Sequence, residues 1–139
     1  MATTWIAIRD GMKTRLATIS GLVAKDTVPN VGTADKNLAI VVYGEPFMEQ
    51  AGHGDMVDIH LRVIVRVQRS KAEEMQDALD AYIWPTGTNS IIAAVAADPT
   101  LGGIVDDTQW QGTGSIGPLQ NDEGTWQATI DFRIREFYL

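Results

Sequence analysis

Two histidines and two aspartates lie within eight residues of one another and have side chains that can bind a metal ion. They are His53, Asp55, Asp58 and His60. Asp58 and His60 are two positions apart in an alternating segment, so they share one face of a predicted strand. A zinc site needs at least three protein ligands, and the chain has no further histidine and no cysteine. We therefore predict a solvated strand face and no metal site.

A glycine-rich stretch matches the G-x-G-x-x-G string of dinucleotide-binding proteins. Its glycines are Gly112, Gly114 and Gly117. In that motif a helix opens directly after the glycines, so that its amides and dipole meet a pyrophosphate. Here Pro118 follows and another strand is predicted next, which indicates a connection between strands. The nucleophile elbow G-x-S-x-G also fails at Ser115, because Thr113 occupies the first glycine position. The sequence thus predicts no cofactor site and no catalytic set.

The composition is typical of one globular domain spanning residues 1–139. A chain of 139 residues can bury roughly two-thirds of its unfolded surface. Eleven basic and eighteen acidic residues give a net charge of -7. A chain of this charge repels phosphate groups overall, which argues against nucleic-acid binding. No signal-peptide pattern is visible, and no apolar run reaches the ~20 residues needed to cross a bilayer. We therefore expect a protein made in the cytoplasm, with no membrane partner.

Two segments alternate between apolar and polar residues over an unusual length. In the first, from Asp55 to Gln68, the apolar positions are Val57, Ile59, Leu61, Val63, Val65 and Val67. In the second they are Trp126, Ala128, Ile130, Phe132 and Ile134. A period of two predicts strands with one buried face. Typical strands have about five or six residues, so this length suggests a sheet that extends toward a neighbouring subunit. At Glu136 the alternation shifts, which predicts a bulge or a terminal exchange of strand partners.

Apolar residues at helical spacing predict two main helices and a short third one. The first helix has its apolar positions at Trp5, Ile8, Met12, Leu16, Ile19 and Val23, with Thr3 or Thr4 as its cap. The second follows an S-x-x-E capping box formed by Ser70 and Glu73, and it ends before Pro85. The short helix lies in the segment IIAAVAADP, with Asn89 or Ser90 as its cap, and it stops at Pro99.

Two further strands complete the predicted fold. The continuous apolar run LAIVVY, residues 38–43, is typical of a strand covered on both faces. Another strand is predicted from Ile104 to Gln111, after a glycine turn. The order is helix, strand, strand, helix, short helix, strand, strand. It predicts an α+β domain with a mostly antiparallel sheet of about four strands, and with the two main helices and the short helix packed on one face.

Five apolar residues in or beside the predicted connections are candidates for contact with another protein. They are Phe47, Met48, Trp110, Ile116 and Leu119. Two belong to the Pro- and Gly-bearing connection at residues 44–54, and the others lie at or within the connection at residues 112–124. Large apolar side chains in such positions usually mark a partner surface. We predict that both connections are docking surfaces.

Four segments of the chain carry a resemblance to a known family. They are LATISGL, LAIVVYGEP, DMVDIHLRVIVRVQ with the following KAEEMQDALDAYI, and SIIAAVAADPTLGGIVDD. In these segments and in its order of elements the chain resembles the tail-terminator proteins of long-tailed bacteriophages over nearly its whole length. The resemblance implies a structural protein of the virion tail or neck and not an enzyme. It implies a homohexameric ring that caps the tail tube, ends the addition of tube subunits and offers a surface to the head-completion or connector protein. DNA would pass through the lumen without specific binding.

Two other functions remain open from the sequence. A head-closure or other minor neck or tail protein has the same size, composition and ring symmetry. A ferredoxin-like dimer that binds or converts a small molecule would present similar long strands and two helices.

Overall fold

The computed structural model of the chain describes residues 4–26, 37–51, 55–119 and 122–137. Within these ranges it contains three helices and five strands. In chain order the elements are α1 (Trp5–Leu16), β1 (Val23–Lys25), β2 (Asn37–Ala51), β3 (Met56–Gln68), α2 (Ala72–Ile83), α3 (Ile91–Ala96), β4 (Asp107–Leu119) and β5 (Asp122–Phe137). The predicted α+β class is confirmed. None of the three helices has the length and apolar character that a membrane crossing requires.

The five strands form one mixed sheet in the order β1-β2-β3-β5-β4. The pairs β2/β3, β3/β5 and β4/β5 are antiparallel, whereas β1 runs parallel to β2. The prediction of about four antiparallel strands therefore holds for the four long strands and is wrong in leaving out β1. The three residues of β1 were missed because Val23 continues the apolar spacing of the preceding helix.

The hydrophobic core lies between one face of the sheet and all three helices. The strands contribute alternate residues, which are Ala39, Val41, Ile59, Leu61, Val63, Val65, Val67, Ala128, Ile130, Phe132 and Ile134. The helices contribute Ile8, Met12, Leu16, Met75, Leu79, Tyr82, Ile91, Ile92 and Val95. The alternation in β3 and β5 is thus explained by burial of one face, and the predicted packing of helices on one face is confirmed.

Helix α1 is shorter than its apolar pattern predicts. Thr4 caps it, and the Thr4 hydroxyl accepts a hydrogen bond from the Ala7 amide at 3.2 Å. The helix ends at Leu16, and the chain then turns through Gly21, whose φ of +81° favours glycine. Ile19 is nevertheless buried. The apolar spacing continues past the helix because the turn packs on the same core.

Helices α2 and α3 begin in different ways. The predicted capping box at Ser70 is wrong, since Lys71 is the N-cap residue of α2 and makes no side-chain capping bond. Glu73 and Glu74 lie in the first turn instead, where their negative charge interacts favourably with the positive end of the helix dipole. In α3 the Ser90 hydroxyl accepts a hydrogen bond from the Ala93 amide at 3.0 Å.

Strands β2 and β4 are longer than the sequence predicts. The predicted connection at residues 44–54 belongs to β2 as far as Ala51, and most of the one at 112–124 belongs to β4. Conversely, residues 104–106 lie in a turn and not in a strand. The neighbouring strands β3 and β5 supply the hydrogen-bond partners of these segments. Bulges in β2 and β4 accommodate the glycines and prolines. The bulge or exchange of partners predicted at Glu136 is wrong, because β5 keeps both its partner β3 and its register through Phe137.

Candidate interaction surfaces

Three large apolar side chains that are exposed to solvent meet where α2 ends beside β4. Trp84 is 61 % exposed, Ile116 55 % and Trp110 42 %. They line an open groove of about 470 Å³. The other residues along it are Ile83, Pro85, Thr86 and Thr113. We refer to this feature as the tryptophan groove.

Trp84 lies in the groove because α2 stops at that point. The Trp84 backbone is extended, with φ −71° and ψ 146°, which is the conformation favoured before a proline. Pro85 cannot continue the helix. The Trp84 carbonyl accepts a hydrogen bond from the buried hydroxyl of Ser90. Because the same hydroxyl caps α3, this wall of the groove is tied to the start of α3.

Strand β4 supplies the opposite wall of the groove. Trp110 is paired with the core residue Phe132, so its ring lies on the helix side of the sheet. The indole Nε1 donates a hydrogen bond to Thr113 Oγ1 at 3.1 Å, across a bulge between Trp110 and Gly112. Helix α2 packs over β3 and β5. The outer strand β4 therefore keeps its apolar side chains accessible.

A second apolar surface lies where α1 begins beside β2. Trp5 stacks on Tyr43 with ring centroids 4.5 Å apart, and Phe47 meets both rings edge-on at 5.4 and 4.8 Å. Tyr43 is 59 % exposed and the neighbouring Met48 54 %. We refer to these four residues as the aromatic edge.

A bulge in β2 brings the aromatic edge together. The register with β3 passes from Tyr43 opposite Leu61 to Met48 opposite Ile59. Gly44 lies in this bulge against the backbone of His60. In the described residues β1 pairs only with positions 38–40 of β2, so the part of β2 that carries the aromatic edge is itself the outer strand.

The two surfaces thus occupy opposite edges of one sheet. Strands β3 and β5 lie between β2 and β4, and three strand spacings correspond to roughly 14 Å. Both surfaces lie on the helix side, because Tyr43 and Trp110 are paired with the core residues Leu61 and Phe132. The chain therefore presents two different apolar surfaces, which are separated by the two central strands.

The connections between the long strands lie at the two ends of the sheet. The β2–β3 connection is at the end where Met56 pairs with Phe137, and the β4–β5 connection is at the end where Gln68 pairs with Thr125. The 13 residues of β3 separate these ends by roughly 43 Å. Leu119 lies beside the β4–β5 connection and does not line the tryptophan groove.

The sheet face away from the helices carries paired charges. The Arg135 guanidinium donates to Asp58 at 2.9 and 3.1 Å, and Arg62 donates to Asp131 at 2.7 and 3.5 Å. The hydrogen bond from Arg135 is the main reason why the pKa of Asp58 is held below its usual value. The hydrogen bond to Asp131 likewise raises the pKa of Arg62. These cross-strand pairs keep the face hydrated and locally balanced.

Two of the four residues considered as metal ligands, Asp58 and His60, have charged partners on this face. Asp58 is bound by Arg135, and His60 Nε2 lies 3.1 Å from Glu49 Oε2. His53 lies outside the described residues. Across residues 4–26, 37–51, 55–119 and 122–137, no three His, Cys, Asp or Glu side chains are grouped as a metal site. The three glycines of the G-x-G-x-x-G string lie within β4 and do not precede a helix.

The five predicted interface residues fall into three places. Trp110 and Ile116 share the tryptophan groove, and Phe47 and Met48 belong to the aromatic edge. Leu119 lies at one end of the sheet. The sequence did not single out Trp84, Tyr43 and Trp5. The sequence could have indicated the exposure of Trp84, because a tryptophan directly before a helix-ending proline has no further helical turn to cover it.

Comparison of the chain with protein-family models and with curated protein sequences gives no match. Function is therefore inferred from the two apolar surfaces, the strand ends and the resemblance in sequence pattern.

Proposed function

We propose that this protein is a structural subunit of a phage tail, which associates with copies of itself into a closed ring on the end of the tail tube. The observation that carries the proposal is the presence of two different exposed apolar surfaces on opposite edges of one sheet. Isolated apolar side chains are common on protein surfaces, but clusters of large ones favour a protein partner.

Surfaces on opposite edges favour association of a particular symmetry. When one patch of a copy contacts a different patch of the next copy, the contact is heterologous, and repetition gives either a ring or an open filament. A twofold dimer would instead use the same patch on both copies. The described geometry supports the heterologous arrangement, and the family resemblance supports closure with six copies.

The strand ends give such a ring two distinct faces. If neighbours meet edge to edge, the β2–β3 connection points toward one face and the β4–β5 connection toward the other. One face would dock on the last tube subunits, and the other would meet the head connector. Tube growth ends because the face that remains exposed does not repeat the docking surface of the tube. Leu119, beside the β4–β5 connection, is our candidate for contact with the tube or head.

Electron microscopy of particles produced without this protein tests the proposal. We expect abnormally long tubes without heads, and we expect the purified protein to cap tubes assembled from the tube subunit. Tails of normal length that are detached from heads would support a head-closure role instead. Unchanged particles would contradict both.

The size of the tryptophan groove favours one second candidate. A volume of about 470 Å³ lies within the roughly 300–1,000 Å³ range of small-molecule sites, so a ligand-binding dimer is the alternative. Native mass spectrometry separates the two, because a dimer that retains a small apolar ligand would support the alternative and a larger closed oligomer would contradict it.

A further inference from the structure

The two main helices carry opposite charge. Helix α2 contains no basic residue, and its acidic side chains are Glu73, Glu74, Asp77 and Asp80, all of them exposed. Helix α1 carries Arg9, Lys13 and Arg15 against the single acid Asp10. The excess of negative charge on the chain is therefore unevenly distributed over the helix side of the molecule.

Each charged helix adjoins one of the apolar surfaces. Helix α1 packs over β1 and β2, and its first residue, Trp5, is part of the aromatic edge. Helix α2 leads directly into the tryptophan groove, since the Trp84 amide donates to the Asp80 carbonyl at 3.0 Å. The aromatic edge is thus flanked by a basic helix and the tryptophan groove by an acidic one.

We infer that the tryptophan groove of one copy receives the aromatic edge of a second copy, with α2 of the first facing α1 of the second. This inference rests on the proposed function only in requiring that copies associate. Met48 is the exposed, unbranched side chain suited to enter the groove between Trp84 and Trp110.

Charge selects this pairing over the two symmetric ones. A contact between two grooves would bring two acidic α2 helices together, and a contact between two aromatic edges would bring two basic α1 helices together. Of the three contacts, the groove-to-edge contact is the one that places the acidic α2 opposite a helix with an excess of basic residues, and such complementarity suppresses the wrong partners. Lys13 and Arg9 already lie 3.6 and 3.5 Å from Asp26 of their own chain, and Arg9 also lies 3.6 Å from Asp10. Arg15 donates to the Ala94 carbonyl. Three basic side chains against these two acids leave α1 with a small excess of positive charge. Glu45 and Glu49 adjoin Met48, and Glu49 is paired with His60.

The contact areas also require the helices to take part. Taking ~150–250 Å² for each aromatic side chain, the exposed parts of the groove residues offer roughly 300 Å² of apolar surface. A stable interface buries about 800 Å² on each partner. The groove and the aromatic edge therefore form the apolar centre of the contact, and the flanking α2 and α1 form its charged rim.

A mixture of two variants tests the inference directly. Trp84→Asp disables the groove, and Met48→Asp disables the edge, so each variant alone should stay monomeric where the wild type forms rings. Mixed at equal concentration, they should form a dimer and stop there, because one intact groove meets one intact edge. Native mass spectrometry with one variant isotopically labelled identifies this mixed dimer. Persistence of monomers in the mixture, self-association of either variant, or a wild type that stays monomeric at millimolar concentration would overturn the inference.

Two controls separate this result from misfolding. Phe137→Asp introduces the same change at an apolar residue with the same 54 % exposure as Met48, at the end of a central strand, and it should leave ring formation intact. Circular dichroism should match the wild type in all variants, and so should thermal unfolding at a concentration low enough for every chain to be monomeric.

Charge reversal provides an independent measurement. Asp80→Lys should weaken self-association about two- to fivefold at low salt, the range of one exposed ion pair. Mixing it with Lys13→Glu should recover that loss, and no recovery would contradict the facing of α2 and α1.

Failure of the inference and failure of the proposed function give different results. If the mixture forms no dimer while wild-type rings still cap tubes, the interface assignment is wrong and the tail function stands. If the mixed dimer forms but rings ignore tube ends, the interface stands and the tail function is wrong.

Discussion

Gly44 lies in the bulge that forms the aromatic edge, and we predict that Gly44→Ala destabilises the protein. A Cβ atom at this position would lie 2.6 Å from the Cβ of His60, 2.7 Å from its carbonyl carbon and 2.8 Å from its carbonyl oxygen. These contacts are shorter than packed atoms tolerate, and two of them are with backbone atoms of a central strand, which cannot rotate away. Relief therefore requires β2 to shift relative to β3.

The expected cost follows from what overpacking does elsewhere. Inserting a methyl group into a packed site costs typically 1–3 kcal/mol, and we expect the upper part of that range because the obstacle is backbone. About 2–3 kcal/mol corresponds to a Tm lower by roughly 6–12 °C in a domain of this size. Urea unfolding followed by tryptophan fluorescence gives the free energy of unfolding directly.

Gly112→Ala is the matched control for this measurement. Gly112 also lies in a bulge of an outer strand, and nothing lies within 4 Å of a Cβ placed there. Replacing a strand glycine at an open site should leave stability unchanged or raise it by about 0.4–1 kcal/mol. The two substitutions should therefore differ in sign. Equal stability of the two variants would show that β2 does not approach His60 as closely as described.

Three further predictions concern the pieces that hold the fold together. Ser90→Ala should lower the free energy of unfolding, measured by urea titration, by about 1–2 kcal/mol. The substitution removes the cap of α3 and the hydroxyl that donates to the Trp84 carbonyl at the end of α2. An unchanged free energy of unfolding would contradict that link. The pKa of Asp58 is lowered in the fold by Arg135, so its stabilising effect is present above the pKa of the unfolded chain and is lost as pH falls below about 4 toward the folded value. Between about pH 7 and pH 2, the free energy of unfolding of Asp58→Asn should therefore fall less steeply than that of the wild type. An identical pH profile would refute the pairing. A Cβ at Gly11 would lie 2.7 Å from Ile104 Cδ1, the far end of a flexible side chain, so Gly11→Ala inside α1 should gain less than the ~1 kcal/mol of helix propensity. It should gain more when Ile104→Val removes that methyl group, as a double-mutant cycle of thermal unfolding would detect, and an equal effect in both backgrounds would contradict the contact.

The parts of the fold that could be predicted are those where one local pattern has one physical cause. The strict alternation in β3 and β5 arises because one face meets the helices and the other meets solvent, and it gave both the strands and their buried residues. The continuous apolar run at the start of β2 was read as covered on both faces, which holds from Leu38 to Val41. Tyr43 keeps the same register opposite Leu61, and it is exposed because β1 pairs only with positions 38–40 in the described residues.

The errors in strand length come from pairing that a local pattern does not contain. Glycine and proline in residues 44–51 and 112–119 indicate turns by their own conformational preferences. In the sheet these two segments pair, through bulges, with the long strands β3 and β5, whose backbone amides and carbonyls need hydrogen-bond partners. The chain thus extends where its own propensities favour a turn.

Four of the seven large apolar residues of the candidate surfaces were predicted, and the other three were missed for a related reason. Large apolar side chains beside glycine-rich segments indicated Trp110 and Met48 individually, because such residues have no local cover. Their partners Trp84 and Tyr43 come from elements that are distant in the chain, and only the path of the backbone brings them together.

In the proposed ring, the edges and the ends of the sheet would have separate tasks. Contacts between copies would use the outer strands β2 and β4, whereas a tube or a head would be met at the ends of the same strands. A long strand is then needed, since roughly 43 Å of sheet keeps the two docking ends apart while leaving its sides free for neighbours. Strands of ordinary length would place the three contacts within reach of one another. If copies associate in this way, the length of β3 and β5 serves the assembly as well as the core, to which β3 contributes every second residue from Ile59 to Val67.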